Sequence, residues 1–217
     1  MSSDEDLRNR LRHVYWIGGG SGAGKSTVAR RLADRFGLRY CGTDESMQDH
    51  ARRTTAVEAP LLHEFMGMGM DERWVDRSPE TMYETFHWFQ GEGFHLIVED
   101  LLAMPPGEGI VVEGFRLLPS LVAPLLADRR RAVWLLPTPD FRAFAIEDRA
   151  KQAGPPGFVH RTSDPERAGR NIAERDRYFV ERLRSETREL GLQAITVDAA
   201  VGESESVDRV AERFALA

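Results

Sequence analysis

Eight consecutive residues, Gly19-Gly20-Ser21-Gly22-Ala23-Gly24-Lys25-Ser26, have the make-up of a loop that wraps a polyphosphate, and they meet the G-x-x-x-x-G-K-[ST] spacing at every fixed position. Glycine accepts backbone dihedrals closed to other residues, so successive N–H groups can turn toward phosphate oxygens. Lys25 offers a full charge to the β and γ phosphates, and Ser26 offers a hydroxyl to Mg2+. A helix opening at Ser26 would add its positive dipole end. With ordinary residue usage, a random chain of this length matches the pattern roughly one time in a hundred. The expected nucleotide contacts are Gly19, Gly22, Ala23, Gly24, Lys25, Ser26 and Thr27, with ATP and GTP both open as the donor.

Further candidates stand where apolar runs end. Asp44 follows Tyr40-Cys41-Gly42-Thr43. Its carboxylate can take the proton of an attacking hydroxyl, hold Mg2+ through water, or cap a helix starting at Glu45. Glu113 closes Ile110-Val111-Val112. An acid there suits a water-mediated contact to Mg2+, and the plainer reading is a surface acid at a strand end. Arg116, three residues on, can pair with substrate or phosphate. Arginines crowd the later chain at 142, 149, 161, 167, 170 and 175, beside acids such as Glu166, Glu174 and Asp176 that would partner most of them in solvent. Phosphoryl transfer still favours a cation closing over the moving group, and Arg149 is the first choice for it. His87, His95 and His160 read as structural or solvent-facing.

These groups need a frame that delivers them to one edge. Short apolar runs at 14–17, 38–41, 110–113, 132–136 and 194–197 alternate with helical patterns, which predicts an α/β fold on a parallel sheet. A helix over 26–36 carries Val28, Leu32 and Phe36 on one face and stops at Gly37. Ligands of such sheets lie beyond the carboxyl ends of the strands, where the glycine loop, Asp44 and Glu113 all fall. The second and third runs are separated by residues 45–109, far more than one crossover helix requires. This stretch reads as helical and holds Trp74, Phe86, Trp88, Phe89 and Phe94, which either pack an enlarged helical layer or form a cap over an acceptor. Residues 154–165, with three prolines and two glycines, read as an exposed, mobile loop within a lid spanning 149–170. A long helix over 165–190 follows.

The 217 residues, 41% apolar, suit a single domain carrying a cap and a lid. A net charge of −6 argues against extended contact with nucleic acid. Cys41 is alone, so there is neither an intrachain disulfide nor a cysteine cluster for zinc. The charged start and the absence of a long apolar run point to a cytoplasmic protein with no membrane segment.

The chain resembles the P-loop small-molecule kinases, a group that includes nucleoside monophosphate, shikimate and gluconate kinases and chloramphenicol phosphotransferase. The likeness is carried by residues 19–26, by Gly42-Thr43-Asp44, which is similar to the Gly-x-Asp of the chloramphenicol enzyme, and by Glu113-Gly114-Phe115-Arg116, which resembles the Asp-Gly-Phe-Pro-Arg of adenylate kinases. It implies a three-layer fold with strand order 2-3-1-4-5, a lid after the fourth strand, an Mg2+–nucleotide donor and Asp44 as the base. A base-reading loop near Asp198 to Gly202 is implied as well. The acceptor would be a hydroxyl of a metabolite, a nucleoside-like compound or an antibiotic. The competing readings are a regulatory nucleotide-hydrolysing switch, although no Asn-Lys-x-Asp motif occurs, and a kinase of nucleic-acid ends or nucleotide-sugars.

Overall fold

In strand β1, Val14–Gly19, successive side chains leave opposite faces of the sheet and both sets are buried: Val14 and Trp16 on one side, Tyr15 and Ile17 on the other. Burial on both faces explains why the strands read as continuous apolar runs rather than alternating ones. A computed structural model describes residues 3–105, 107–153, 157–198 and 202–216; for 3, 4 and 149–153 it describes the backbone alone. A short helix α1, Ser3–Arg10, precedes the sheet.

The other strands are β2, Arg39–Gly42; β3, Ile110–Glu113; β4, Ala132–Pro137; and β5, Gln193–Val197. Together with β1 they form one five-stranded, all-parallel sheet of order β2-β3-β1-β4-β5. The expected fold class, strand order and strand positions are all met. The register sets Glu113 opposite Ile17 on one side and Gly42 on the other, so the ends of β1, β2 and β3 lie together at the carboxyl edge.

Helix α2, Lys25–Phe36, covers one face with Val28, Ala29 and Leu32, joined there by α10, Glu203–Arg213, through Val207 and Val210. The opposite face carries Trp16, Val112, Trp134 and Leu136 under α9, Pro165–Glu189, which contributes Phe179, Val180 and Leu183. Trp134 is wholly buried, and its indole N–H donates to Leu117 O at 2.8 Å, so its one polar atom is satisfied.

Between β2 and β3 run α3, Met47–Arg53; α4, Pro60–Gly67; a π-helical turn, Glu72–Asp76; α5, Pro79–Thr85; and α6, Phe94–Ala103. This layer is fastened to α9 at several points. Phe89 stacks on Phe179 with centroids 3.8 Å apart and planes 2° from parallel. Asn171 donates to the carbonyls of Trp74 and Val75 at 3.2 Å, Arg182 donates to Phe89 O at 2.7 Å, and Tyr178 donates to Glu80 at 2.5 Å. After β3 comes the single turn α7, Pro119–Val122, and after β4 comes α8, Pro139–Ala153.

The proposed lid, 149–170, takes in the end of α8 and the start of α9; residues 154–156 lie outside the described residues, and the 3-10 turn Val159–Arg161 follows them. Among the described residues, no helix is long and apolar enough to cross a membrane.

Candidate functional site

The glycine loop joins the end of β1 to the start of α2. Gly22 and Gly24 adopt φ of 78° and 76°, a region that side-chain-bearing residues avoid, and this is what curls the loop before the helix begins. Gly24 is the N-cap of α2 and no side chain caps the helix, so its first-turn amides are not taken up by a capping side chain. The Lys25 ammonium is buried and donates to Gly20 O at 2.8 Å, which arches the side chain back over the loop. Ser26 and Thr27 are exposed at the head of α2, and Ala23 is buried, with its N–H 3.4 Å from Gly20 O.

Glu113 ends β3 beside this loop, buried, and accepts the Tyr40 hydroxyl at 2.8 Å. Burial, followed by that carboxylate, pushes the Tyr40 phenol well above its ordinary range, so Tyr40 remains a donor and fixes the orientation of Glu113. Asp44 is exposed just beyond β2, and the Thr43 amide before it donates to Glu113 O at 2.9 Å. Hydroxyl and carboxylate oxygens are the ligands Mg2+ prefers, and such ions are commonly held by one or two protein groups together with substrate phosphates. Ser26 and Glu113 fit that role in type. Among the described residues, no cluster of three or more His, Cys, Asp or Glu could hold a metal alone.

Arg116 lies deep at the same edge. Only 2% exposed, it donates to Thr43 O at 3.4 Å and Gly93 O at 3.2 Å, and stacks 4.1 Å from the Trp88 ring centroid. Burial lowers its pKa to about 10, and the charges of Asp44 and Asp100 work against that fall. Further arginines approach from the helical layer and α9. Arg73 sits 4.7 Å from the Phe65 ring, and Arg175 sits 4.6 Å from Phe86 and 5.2 Å from Phe89. His87 is buried among them, its pKa driven down to about 3 by burial first and then by Arg116, Arg175 and Arg73. Among the described residues, nothing bonds the buried Nε of Arg73, Nε of Arg116 and Nη1 of Arg175, all donors, nor the buried Nδ1 of His87, whose role depends on the tautomer. Buried donors are costly when unmade, so a concentration of them marks where an acceptor group belongs.

The tertiary structure thus joins Lys25, Ser26, Asp44, Glu113 and Arg116 along one edge. The side chain of Arg149 lies outside the described residues, as do residues 199–201 of the loop read as base-contacting. His95 and His160 are exposed, and His87 is buried. Arg73 carries no mark in the sequence, and Arg142, Arg175 and Asp176 read there only as members of a charged run. Arg142, in the first turns of α8, packs against the glycine loop: a β-carbon on Gly22 would meet its Cγ at 3.5 Å. Asp176 is buried in α9. Nothing in local spacing marks these residues, since Arg142 and Asp176 meet across 34 positions.

No protein-family model matches the chain. It is 28% identical over 149 residues to a 2-phosphoglycerate kinase of Thermococcus kodakarensis, an alignment covering 66% of this chain and 50% of the relative. The chain therefore spans about half the length of the curated relative it matches. Among solved structures, an uncharacterized protein from Eubacterium ventriosum aligns over 95% of this chain and 99% of its own, at 13% identity and a TM-score of 0.45.

Proposed function

We propose that this protein transfers the terminal phosphoryl group of ATP or GTP to a hydroxyl of a small, negatively charged acceptor. The observation that carries the reading is the meeting of two kinds of site at one sheet edge. A phosphate loop with its lysine stands beside strand-end carboxylates, next to the buried Arg116 and Arg175 and the half-buried Arg73, each with a buried N–H that no described residue accepts. A buried N–H donor left unmade is costly, so a carboxylate or phosphate on the acceptor is the natural partner for the spare donors of Arg116, Arg73 and Arg175. The archaeal relative named for 2-phosphoglycerate points the same way.

In this scheme the acceptor hydroxyl gives its proton to Asp44 as its oxygen bonds to the γ-phosphorus. The bond from that phosphorus to the bridging oxygen breaks, and the nucleoside diphosphate leaves with the electron pair. Lys25 and the loop amides hold the charge of the transferring group and leaving group, a role for fixed donors aimed where charge develops. Mg2+, held by Ser26 and through water by Glu113, would supply further neutralisation of the phosphates. The aromatic residues of 45–109 wall the acceptor off from water, which strengthens each of these interactions.

The test is a screen in Mg–ATP and Mg–GTP of hydroxy acids and their phosphate esters, 2-phosphoglycerate among them, beside neutral sugars and nucleosides. Product is read by mass as a gain of one phosphate. Anionic compounds are expected to be phosphorylated and neutral ones to be poor acceptors. Transfer confined to neutral acceptors, or nucleotide hydrolysis with none of them modified, would overturn the proposal.

A further inference from the structure

Asp176 holds two arginines that belong to different halves of the site. Its Oδ2 accepts Arg142 Nη2 at 2.6 Å, and its Oδ1 accepts Arg175 Nη2 at 2.6 Å and Nε at 3.0 Å. All three side chains are largely withdrawn from water, with 12% of Arg142, 9% of Arg175 and 4% of Asp176 exposed. Arg142 rests on the glycine loop at Gly22, whereas Arg175 lies among Trp74, Phe86 and Phe89 of the helical layer. Each arginine keeps a buried donor that nothing among the described residues accepts, Nε on Arg142 and Nη1 on Arg175.

From this arrangement we infer that Asp176 is a positioning residue that couples the two substrates, so that an anion on the nucleotide side prepares the protein for an anion on the acceptor side. The inference rests on the phosphotransferase reading above. One carboxylate with a lobe for each cation fixes the two guanidinium planes relative to each other. An anion that draws on the spare donor of Arg142 holds that side chain, and with it the Asp176 rotamer that receives Arg175. The second anion then meets an arginine already ordered, and the conformational entropy of fixing long side chains is not lost twice. Asp176 also offsets the repulsion between two cations that a bare pair would suffer. By linkage, the gain is the same whichever ligand arrives first.

The experiment uses the full chain and calorimetry. The affinity for a non-hydrolysable Mg–ATP analogue is measured with and without 2-phosphoglycerate or, as a simpler anion, inorganic phosphate. Phosphate is titrated into protein already saturated with the analogue, so that its binding there reports the acceptor side alone. In the unmodified protein each anion is expected to tighten the other by at least about fivefold, within the usual range of such couplings. Asp176→Asn, which keeps the shape and removes the charge, should bring that ratio close to one. Asp176→Glu should restore part of it.

Arg175→Lys keeps the charge, loses the two-pronged contact, and serves if Asp176→Asn fails to fold; it should also lower the ratio. Independent binding of the two anions to the unmodified protein overturns the inference, as does an unchanged ratio in the variants. Analogue binding with no coupling leaves the phosphotransferase reading standing and removes this one. Absence of analogue binding to the unmodified protein removes both.

Discussion

Lys25 and Asp44 illustrate how differently two residues of the proposed site depend on their surroundings. The Lys25 ammonium is located by the loop itself through its bond to Gly20 O, and its charge is buried. Asp44 is exposed, beyond the end of a strand, with its surroundings set by Thr43 and by Arg116 from another part of the chain. Lys25→Ala is expected to lower phosphoryl transfer by about 10²–10³ and to weaken nucleotide binding, because a fixed donor is lost where charge collects. Asp44→Asn is expected to leave nucleotide affinity near its original value and slow transfer by about 10²–10⁴, the span typical of a general base. Calorimetry with Mg–nucleotide and single-turnover kinetics separate the two. If Asp44→Asn mainly weakens Mg–nucleotide binding, the residue belongs to the metal's surroundings instead. Both residues were legible in the sequence because each sits at a fixed offset from an apolar run. Asp176 was not, because a buried acid and a solvated one look alike within a charged helix.

At the scale of elements, the sheet and α2 were readable because their burial pattern repeats at short range. The layer between β2 and β3 was readable only as helical. Its segments α3, α4 and α5 are 7, 8 and 7 residues long, too short for a periodic face to declare what it packs on. α5 and the π-helical turn are oriented by α9, whereas α3 is tied to α6 through His50 and Arg53 with Asp100, and α4 to the Glu92 carboxylate. The closest ring contact of the layer with α9 is Phe179 stacked on Phe89. Phe179→Ala removes a ring that is 1% exposed and is expected to cost about 3–5 kcal/mol. Urea unfolding should show a lower midpoint with an unchanged slope. A shift below 1 kcal/mol would mean that the layer is held chiefly by the polar ties to Asn171 and Arg182 instead.

For the molecule as a whole, the gathering of cations has a consequence for stability against pH. His87 is held neutral in the fold, with a pKa near 3, by burial and by Arg116, Arg175 and Arg73. In the unfolded chain it titrates near 6.5. Between those values the unfolded state binds a proton that the folded state does not. The stabilisation is therefore complete above the unfolded pKa and declines as pH falls through the interval, by on the order of 2 kcal/mol at pH 5. His87→Asn should flatten the stability profile between pH 6.5 and 5 relative to the unmodified protein, whatever it does to stability at neutral pH. Parallel profiles, followed by chemical denaturation at each pH, would show that His87 is not the titrating group.

The sequence by itself determined the glycine loop before the first long helix, the five parallel strands and the acids at two strand ends. Each of these is written in a local code of spacing, alternation or turn residues. Only the tertiary structure decided which of the many arginines leave solvent, that Arg73, Arg116 and Arg175 converge on His87, and that Arg142 and Arg175 share Asp176. Burial and charge pairing depend on which surfaces the helices cover, and contacts such as Arg142 with Asp176 join residues far apart in the chain. No pattern read along one segment contains that information.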